Sequence, residues 1–236
     1  MCTVTFIPFK NSIFITSNRD ESPDRQAIGL KSFHSRETNT IHFPLDEASG
    51  GSWIALSDEG RAVCLLNGGF ESFIPNPPYR ISRGQVVLEA AKAVDVDQFI
   101  SNYELEGIAP FTLVVFENQN LVQLVWDGQL KHILSLPSDQ PHIWSSATLY
   151  PLKVREWRKS LFEKWISEKE TYDRESIIAF HLMANGDPDN GFVMNRKEIV
   201  KTLSVTSIVL KENSGSILHL DLEKSTREEI MMHYGE

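Results

Sequence analysis

With 236 residues, 41% of them apolar, and a formal charge of −9, the chain has the composition of a folded globular protein, and neither a fibrous nor a disordered class fits. The acidic balance argues against a nucleic-acid partner, whose phosphates need clustered Lys and Arg, and the apolar runs at 111–116 and 207–210 fall far short of the about 20 residues that a membrane-spanning helix needs. Two cysteines, Cys2 and Cys64, make neither a disulfide framework nor a four-cysteine metal site, so no metal or cofactor is expected; with no leader-like N-terminus, the expected address is cytoplasmic.

In chain order, CTVTFIPF and SIFITSN alternate in the period of strands on either side of the turn formers Lys10 and Asn11, a β-hairpin signal. Strands are expected over 40–43, 53–57 and 61–67, and the Pro-rich segment 73–83 reads as a surface loop able to cover a site. A helix follows over 83–94, then strands over 111–117, 121–127 and 142–146. The long helix 151–169 carries an apolar stripe of Leu152, Val154, Trp157, Leu161, Trp165 and Ile166, with the basic KVREWRK on its solvated face. A third helix over 174–184 ends at Asn185-Gly186, with His181 expected to pack in the core, and strands close the chain over 201–210 and 216–222. Strands in antiparallel-compatible pairs with helices between groups give an α+β class, and no linker divides the chain, so one domain over 1–236 is expected.

A turn centred on Lys10 and Asn11 makes paired residue numbers sum to 21, which sets Phe9 against Ser12 and Cys2 against Arg19, and a slip of one residue would set Cys2 against Asn18 or Asp20. Directly opposed Cβ atoms lie about 4.5–5.5 Å apart, close enough for a guanidinium to favour the thiolate. Loss of Met1 would give Cys2 an α-amine of pKa near ~7.7–8.0, able to serve as base for its own thiol. The same residues also read as a small apolar residue at a strand start with a polar strand end. Cys64, within AVCLL, is expected to pack.

Cys2, the tetrapeptide Asn18-Arg19-Asp20-Glu21, GGSWIALS at 50–57 and RAVCLLNGG at 61–69 together resemble the NRDE, or transport and Golgi organisation 2-like, family, and the likeness covers nearly the whole chain. That family in turn resembles the N-terminal nucleophile hydrolases, which implies an αββα sandwich of two antiparallel sheets between helical layers. The likeness to bile-salt hydrolases and penicillin V acylases implies Cys2, Arg19, Asp20 and Asn67 as catalytic candidates. Asn18, Trp53, Gly68, Gly69, Ser145 and Ser146 are the candidates for lining the site. Backbone amides at Gly68 and Gly69 are expected to be free to approach an oxyanion.

The chain departs from those enzymes in the order of its NRD residues, in having Ser145 or Ser146 in place of a second asparagine, and in having Leu203 in place of a late arginine. Two functions follow as expectations. The first is a cysteine amidohydrolase or acyl transferase acting on a small-molecule amide. The second is a non-catalytic carrier of a hydrophobic ligand such as haem or acyl-CoA, for which Arg80 and Arg83 could meet phosphates. The oligomeric state is not legible.

Overall fold

The computed structural model describes residues 3–35 and 39–234; Cys2 lies outside the described residues. Strands β1 (Thr3–Phe9) and β2 (Ser12–Glu21) form the expected hairpin, with Lys10 at φ 53° in its turn and a register running from Phe9↔Ser12 to Thr3↔Asn18. β10 (His142–Ser145) pairs with the other edge of β1, and β12 (Val200–Lys211) with the other edge of β2. β13 (Ser214–Asp221) and β14 (Thr226–His233) complete the first sheet, in the order β10-β1-β2-β12-β13-β14, with the short β11 (Asn195–Arg196) also on β12.

The second sheet is an antiparallel meander of β3 (Ala27–His34), β4 (Thr40–Asp46), β5 (Ile54–Ser57), β6 (Ala62–Asn67), β7 (Phe111–Glu117), β8 (Asn120–Trp126) and β9 (Lys131–Leu136). α1 (Arg83–Lys92) and α2 (Val96–Asn102) cover its outer face, where Val86, Val87 and Ile100 pack on Leu65, Leu113 and Val115. α3 (Leu152–Ser167) and α4 (Arg174–His181) cover the outer face of the first sheet, where Phe162, Trp165 and Phe180 meet Ile7 and Phe14. Between the sheets lie Val4, Phe6, Ile15, Leu56, Cys64, Leu66, Val114, Ile208 and Ile217. The alternation of strands decides which residue enters which layer: Val4 and Phe6 face the other sheet, and Ile7 the helices. The architecture is the αββα sandwich that the resemblance implied, of class α+β. No described helix is long and apolar enough to cross a membrane.

α3 differs from its sequence reading. Its buried face is Arg158, Phe162 and Trp165, while Leu152 is 61% exposed. Arg158 belongs to the basic run assigned to solvent, yet it is fully buried. Its guanidinium lies 3.7 Å from the centroid of the Tyr150 ring, with Nε donating to the Asn190 carbonyl and two further bonds to Thr3 Oγ1 and the Gly191 carbonyl. Neutral acceptors and aromatic faces let the charge stay buried. β3, β9, β14 and α2 were not legible in the sequence.

Candidate active site

The end of β2 carries Asn18, Arg19 and Asp20, all at most 2% exposed. In a strand, neighbours point to opposite faces, so these three cannot share one side. Asn18 turns to the helical layer: its Nδ2 donates to the carbonyls of His181 at 2.9 Å and Phe192 at 3.1 Å, and its Oδ1 meets His181 Nδ1. An amide oxygen only accepts, so His181 carries its proton on Nδ1, and Nε2 accepts from the Thr5 hydroxyl at 2.8 Å. Burial, helped by the nearby Arg158, pushes His181 down to about 3, so it is neutral. The structure places it in the core, as the sequence reading expected.

Asp20 turns to the same layer as Asn18. Its Oδ2 accepts from Tyr150 Oη at 2.8 Å and its Oδ1 from Thr202 Oγ1 at 2.6 Å. Opposite this point β12 bulges: Thr202 pairs with Asp20 and Ser204 with Arg19, which leaves Leu203 as the extra residue.

Arg19 faces the space between the sheets. Nη1 donates to the Arg25 carbonyl at 2.6 Å, Nη2 to Asp46 Oδ2 at 3.2 Å, and the guanidinium sits 4.7 Å from the Trp53 ring centroid. Burial lowers its pKa, and Asp46 opposes that shift. Asp46 also takes Arg25 at 2.9 Å, and Arg25 in turn reaches Glu21 at 3.3 Å. Sequence reasoning missed Arg25 and Asp46; the connection between β2 and β3 turns Arg25 back to Arg19, and the fold of β4 against the β2 end brings Asp46.

These groups border a cleft of about 370 Å3, whose walls include Arg19, Trp53, Asn67, Tyr79, Ser82 and Arg83. That volume lies within the usual range for small-molecule sites, roughly 300–1,000 Å3. The segment 73–83 does border it, through Tyr79, Ile81, Ser82 and Arg83. The N-terminus of α1 reaches this wall because the backbone of Gly84 packs against Gly51, where a Cβ would fall 2.4 Å from the Gly84 carbonyl carbon. Arg80, by contrast, is occupied in holding the loop carbonyls of Glu104 and Glu106.

Of the remaining sequence candidates, Gly68 does not have a free amide. Its N–H donates to the Pro110 carbonyl at 3.0 Å, and its φ of 87° is the reason a glycine stands there. Ser146 donates to the Asn67 carbonyl at 2.7 Å, which ties the end of β6 to the end of β10. Ser145 and Gly69 line a second cleft, of about 270 Å3, with Phe70, Trp144 and Arg155. The cleft at Arg19 therefore gathers Arg19, Trp53 and Asn67, with Asn18 and Asp20 behind the sheet and Ser145 and Gly69 on another wall. No cluster of three His, Cys, Asp or Glu suited to a metal occurs among the described residues. Cys64 is 1% exposed, and burial pushes its thiol up to about 12, which suits packing.

A family model described as Transport and Golgi organisation 2 matches residues 1–229. Among curated proteins, no sequence matches significantly. Among solved structures, a Caenorhabditis elegans ortholog of N-acylethanolamine-hydrolyzing acid amidase superposes with a TM-score of 0.64 at 11% identity, over 88% of this chain and 92% of that one. A mutant of the conjugated bile acid hydrolase from Clostridium perfringens gives a TM-score of 0.50 at 9% identity, over 100% of this chain and 97% of that one. A second variant of that hydrolase gives 0.51 at 9%, over 99% and 97%. At such identities the likeness is one of fold, and it is the N-terminal nucleophile hydrolase sandwich that is shared.

Proposed function

The chain belongs to the Transport and Golgi organisation 2 family, and we propose that it is a cysteine N-terminal nucleophile amidohydrolase acting on a small-molecule amide. The observation that carries this reading is the hairpin register. It runs from Phe9↔Ser12 to Thr3↔Asn18 with paired numbers summing to 21, the register on which the sequence reading opposes Cys2 to Arg19, and the Arg19 guanidinium borders the cleft. Structural neighbours named as an amidase and a bile acid hydrolase support it.

In this mechanism Met1 is removed, and the α-amine of Cys2 takes the thiol proton. The thiolate attacks the amide carbonyl, and the Asn67 side chain steadies the tetrahedral oxyanion. The C–N bond breaks as the α-ammonium returns its proton to the leaving amine. Water then attacks the thioester, with the α-amine as base, and releases the acid; an amine in place of water would make the step an acyl transfer. Arg19 favours the thiolate, and Asp20, held by Tyr150 and Thr202, offsets the charge of the α-ammonium. Trp53 forms the apolar wall.

The test is intact mass before and after brief treatment with iodoacetamide near neutral pH, followed by an amide panel. Loss of the methionine mass, selective alkylation of Cys2 and amide turnover are expected. A retained Met1 with an inert Cys2 would sink the mechanism and leave a binding protein on a hydrolase fold.

A further inference from the structure

The groups lining the cleft are unevenly matched. Three guanidiniums, Arg19, Arg25 and Arg83, face two carboxylates, Glu21 and Asp46. Both carboxylates are taken, Asp46 by Arg19 and Arg25, and Glu21 by Arg25. Arg83 is left with one bond, from Nη1 to the Pro110 carbonyl at 3.2 Å, and an aromatic neighbour, Phe73, at 5.9 Å. Among the described residues it has no carboxylate partner. The lining thus carries one surplus positive charge, and it sits on Arg83.

Two further groups in the same wall are buried without a hydrogen-bond partner: the indole Nε1 of Trp53, a residue 3% exposed, and the hydroxyl of Ser82. A buried polar atom left unpaired costs about 1–3 kcal/mol, so native proteins rarely keep several together without a use for them. An indole N–H only donates, a guanidinium only donates, and a hydroxyl can donate. What the wall lacks is therefore acceptors. Ser82 is also the N-cap of α1 yet makes no side-chain cap bond, so the positive end of the helix is not quenched from within. Burial and the charge of Arg25 both lower the pKa of Arg83, a cost that an incoming anion would relieve.

Resting on the hydrolase reading above, we propose that the cleft selects amides bearing a carboxylate, with Arg83 taking the carboxylate and Ser82 and Trp53 donating to the ligand's oxygens. One surplus charge matches a monoanion, and a volume near the low end of the small-molecule range suits a short amide. The roles divide along the wall: Arg19 is held by Asp46 and serves the reacting end, while Arg83 is free to recognise the substrate.

The experiment compares N-octanoylglycine with N-octanoylethanolamine, amides that differ in whether the far end is a carboxylate or a hydroxyl. Binding is measured by titration calorimetry on the full chain carrying Cys2→Ala, in which turnover cannot consume the probe, with and without Arg83→Gln. The glycine amide is expected to bind about tenfold tighter than the ethanolamide, as one charge-assisted contact would give. The preference should shrink as salt is raised and fall to about one in Arg83→Gln. Equal binding of the two probes, no binding of either, or a preference that survives Arg83→Gln overturns the proposal. Hydrolysis of both probes by the unaltered protein separates the two readings. Turnover without discrimination defeats the carboxylate site and leaves the hydrolase; discrimination in binding without turnover does the reverse. Thermal unfolding of Arg83→Gln, followed by circular dichroism, checks that it is folded.

Discussion

Tyr150 donates its hydroxyl to the carboxylate of Asp20 at 2.8 Å, although 130 residues separate them. The ring that carries this hydroxyl is also the one on which the buried Arg158 guanidinium rests, 3.7 Å from the centroid. One side chain thus links a buried cation on α3 to a buried carboxylate on β2. Tyr150→Phe keeps the ring and removes the hydroxyl, leaving one Asp20 oxygen without this donor. The expected loss is about 1–3 kcal/mol of stability, read from urea unfolding. An unchanged midpoint would show that water replaces the hydroxyl at no cost.

The two innermost histidines set the response to acid. Burial holds His181 at about 3 and His219 at about 4, against an ordinary value of 6.5. For His219, Asp221 and Glu228 pull upward, while Arg19 and Lys224 add to the depression. Both folded values lie below the unfolded one, so the unfolded chain binds more protons in the window between them. Stability is therefore complete above pH 6.5 and is lost as the pH falls towards 4. The slope should approach ~1.4 kcal/mol per pH unit for each histidine. Urea titrations at pH 7, 6 and 5 measure it, and His219→Asn should remove about half of this contribution. A flat profile over that range would falsify the assignment of both rings as neutral.

Asn67 is proposed to act in the transition state and not in holding the substrate. Asn67→Ala should lower kcat by about 10²–10³ and leave KM nearly unchanged. A raised KM at constant kcat would move Asn67 from the chemistry to substrate binding.

Gly51 sets the distance between the β4–β5 connection and the N-terminus of α1. A Cβ there would lie 2.4 Å from the Gly84 carbonyl carbon and 2.8 Å from the Gln85 nitrogen, both of them backbone atoms that cannot rotate away. Gly51→Ala should cost about 1–3 kcal/mol by overpacking, and it should displace Ser82 and Arg83 from the cleft wall. Thermal unfolding and N-octanoylglycine affinity report the two effects separately.

Much of the sandwich was legible because its inner strands announce themselves. The turn at Lys10 and Asn11 fixed the hairpin register, since alternation allows only one face to bury Val4 and Phe6. The strands that escaped are the wet ones: β14, TREEIMMH, buries only Met232 fully, and β9 keeps Ile133 and Leu134 about half exposed. α2 is seven residues long, too short for a periodic signal. At the site, the same alternation that fixed the hairpin also separates Arg19 from Asp20, because adjacent residues of one strand cannot share a face. Asp46 joins Arg19 only because the two sheets pack face to face, over 27 residues, and Thr202 joins Asp20 only through the pairing of β12 with β2, over 182. No local pattern encodes such partners. Gly68 was read as an open amide because glycine permits close approach, but its amide is spent on Pro110.

β1 lies inside its sheet, flanked by β2 on one side and β10 on the other, while the far edge of β2 waits for β12. A growing chain makes the hairpin first, but the flank that supplies Thr202 is some 180 residues further on, which at 5–20 residues per second is a delay of roughly 10–40 s. β10 and Tyr150 come first, to the free edge of β1 and to one Asp20 oxygen, and the edge of β2 and the other oxygen wait for β12 and Thr202. The timing of synthesis thereby works as a safety catch: Asp20 gains its last donor only when the final third of the chain has arrived, and any product terminated before β12 is left without it.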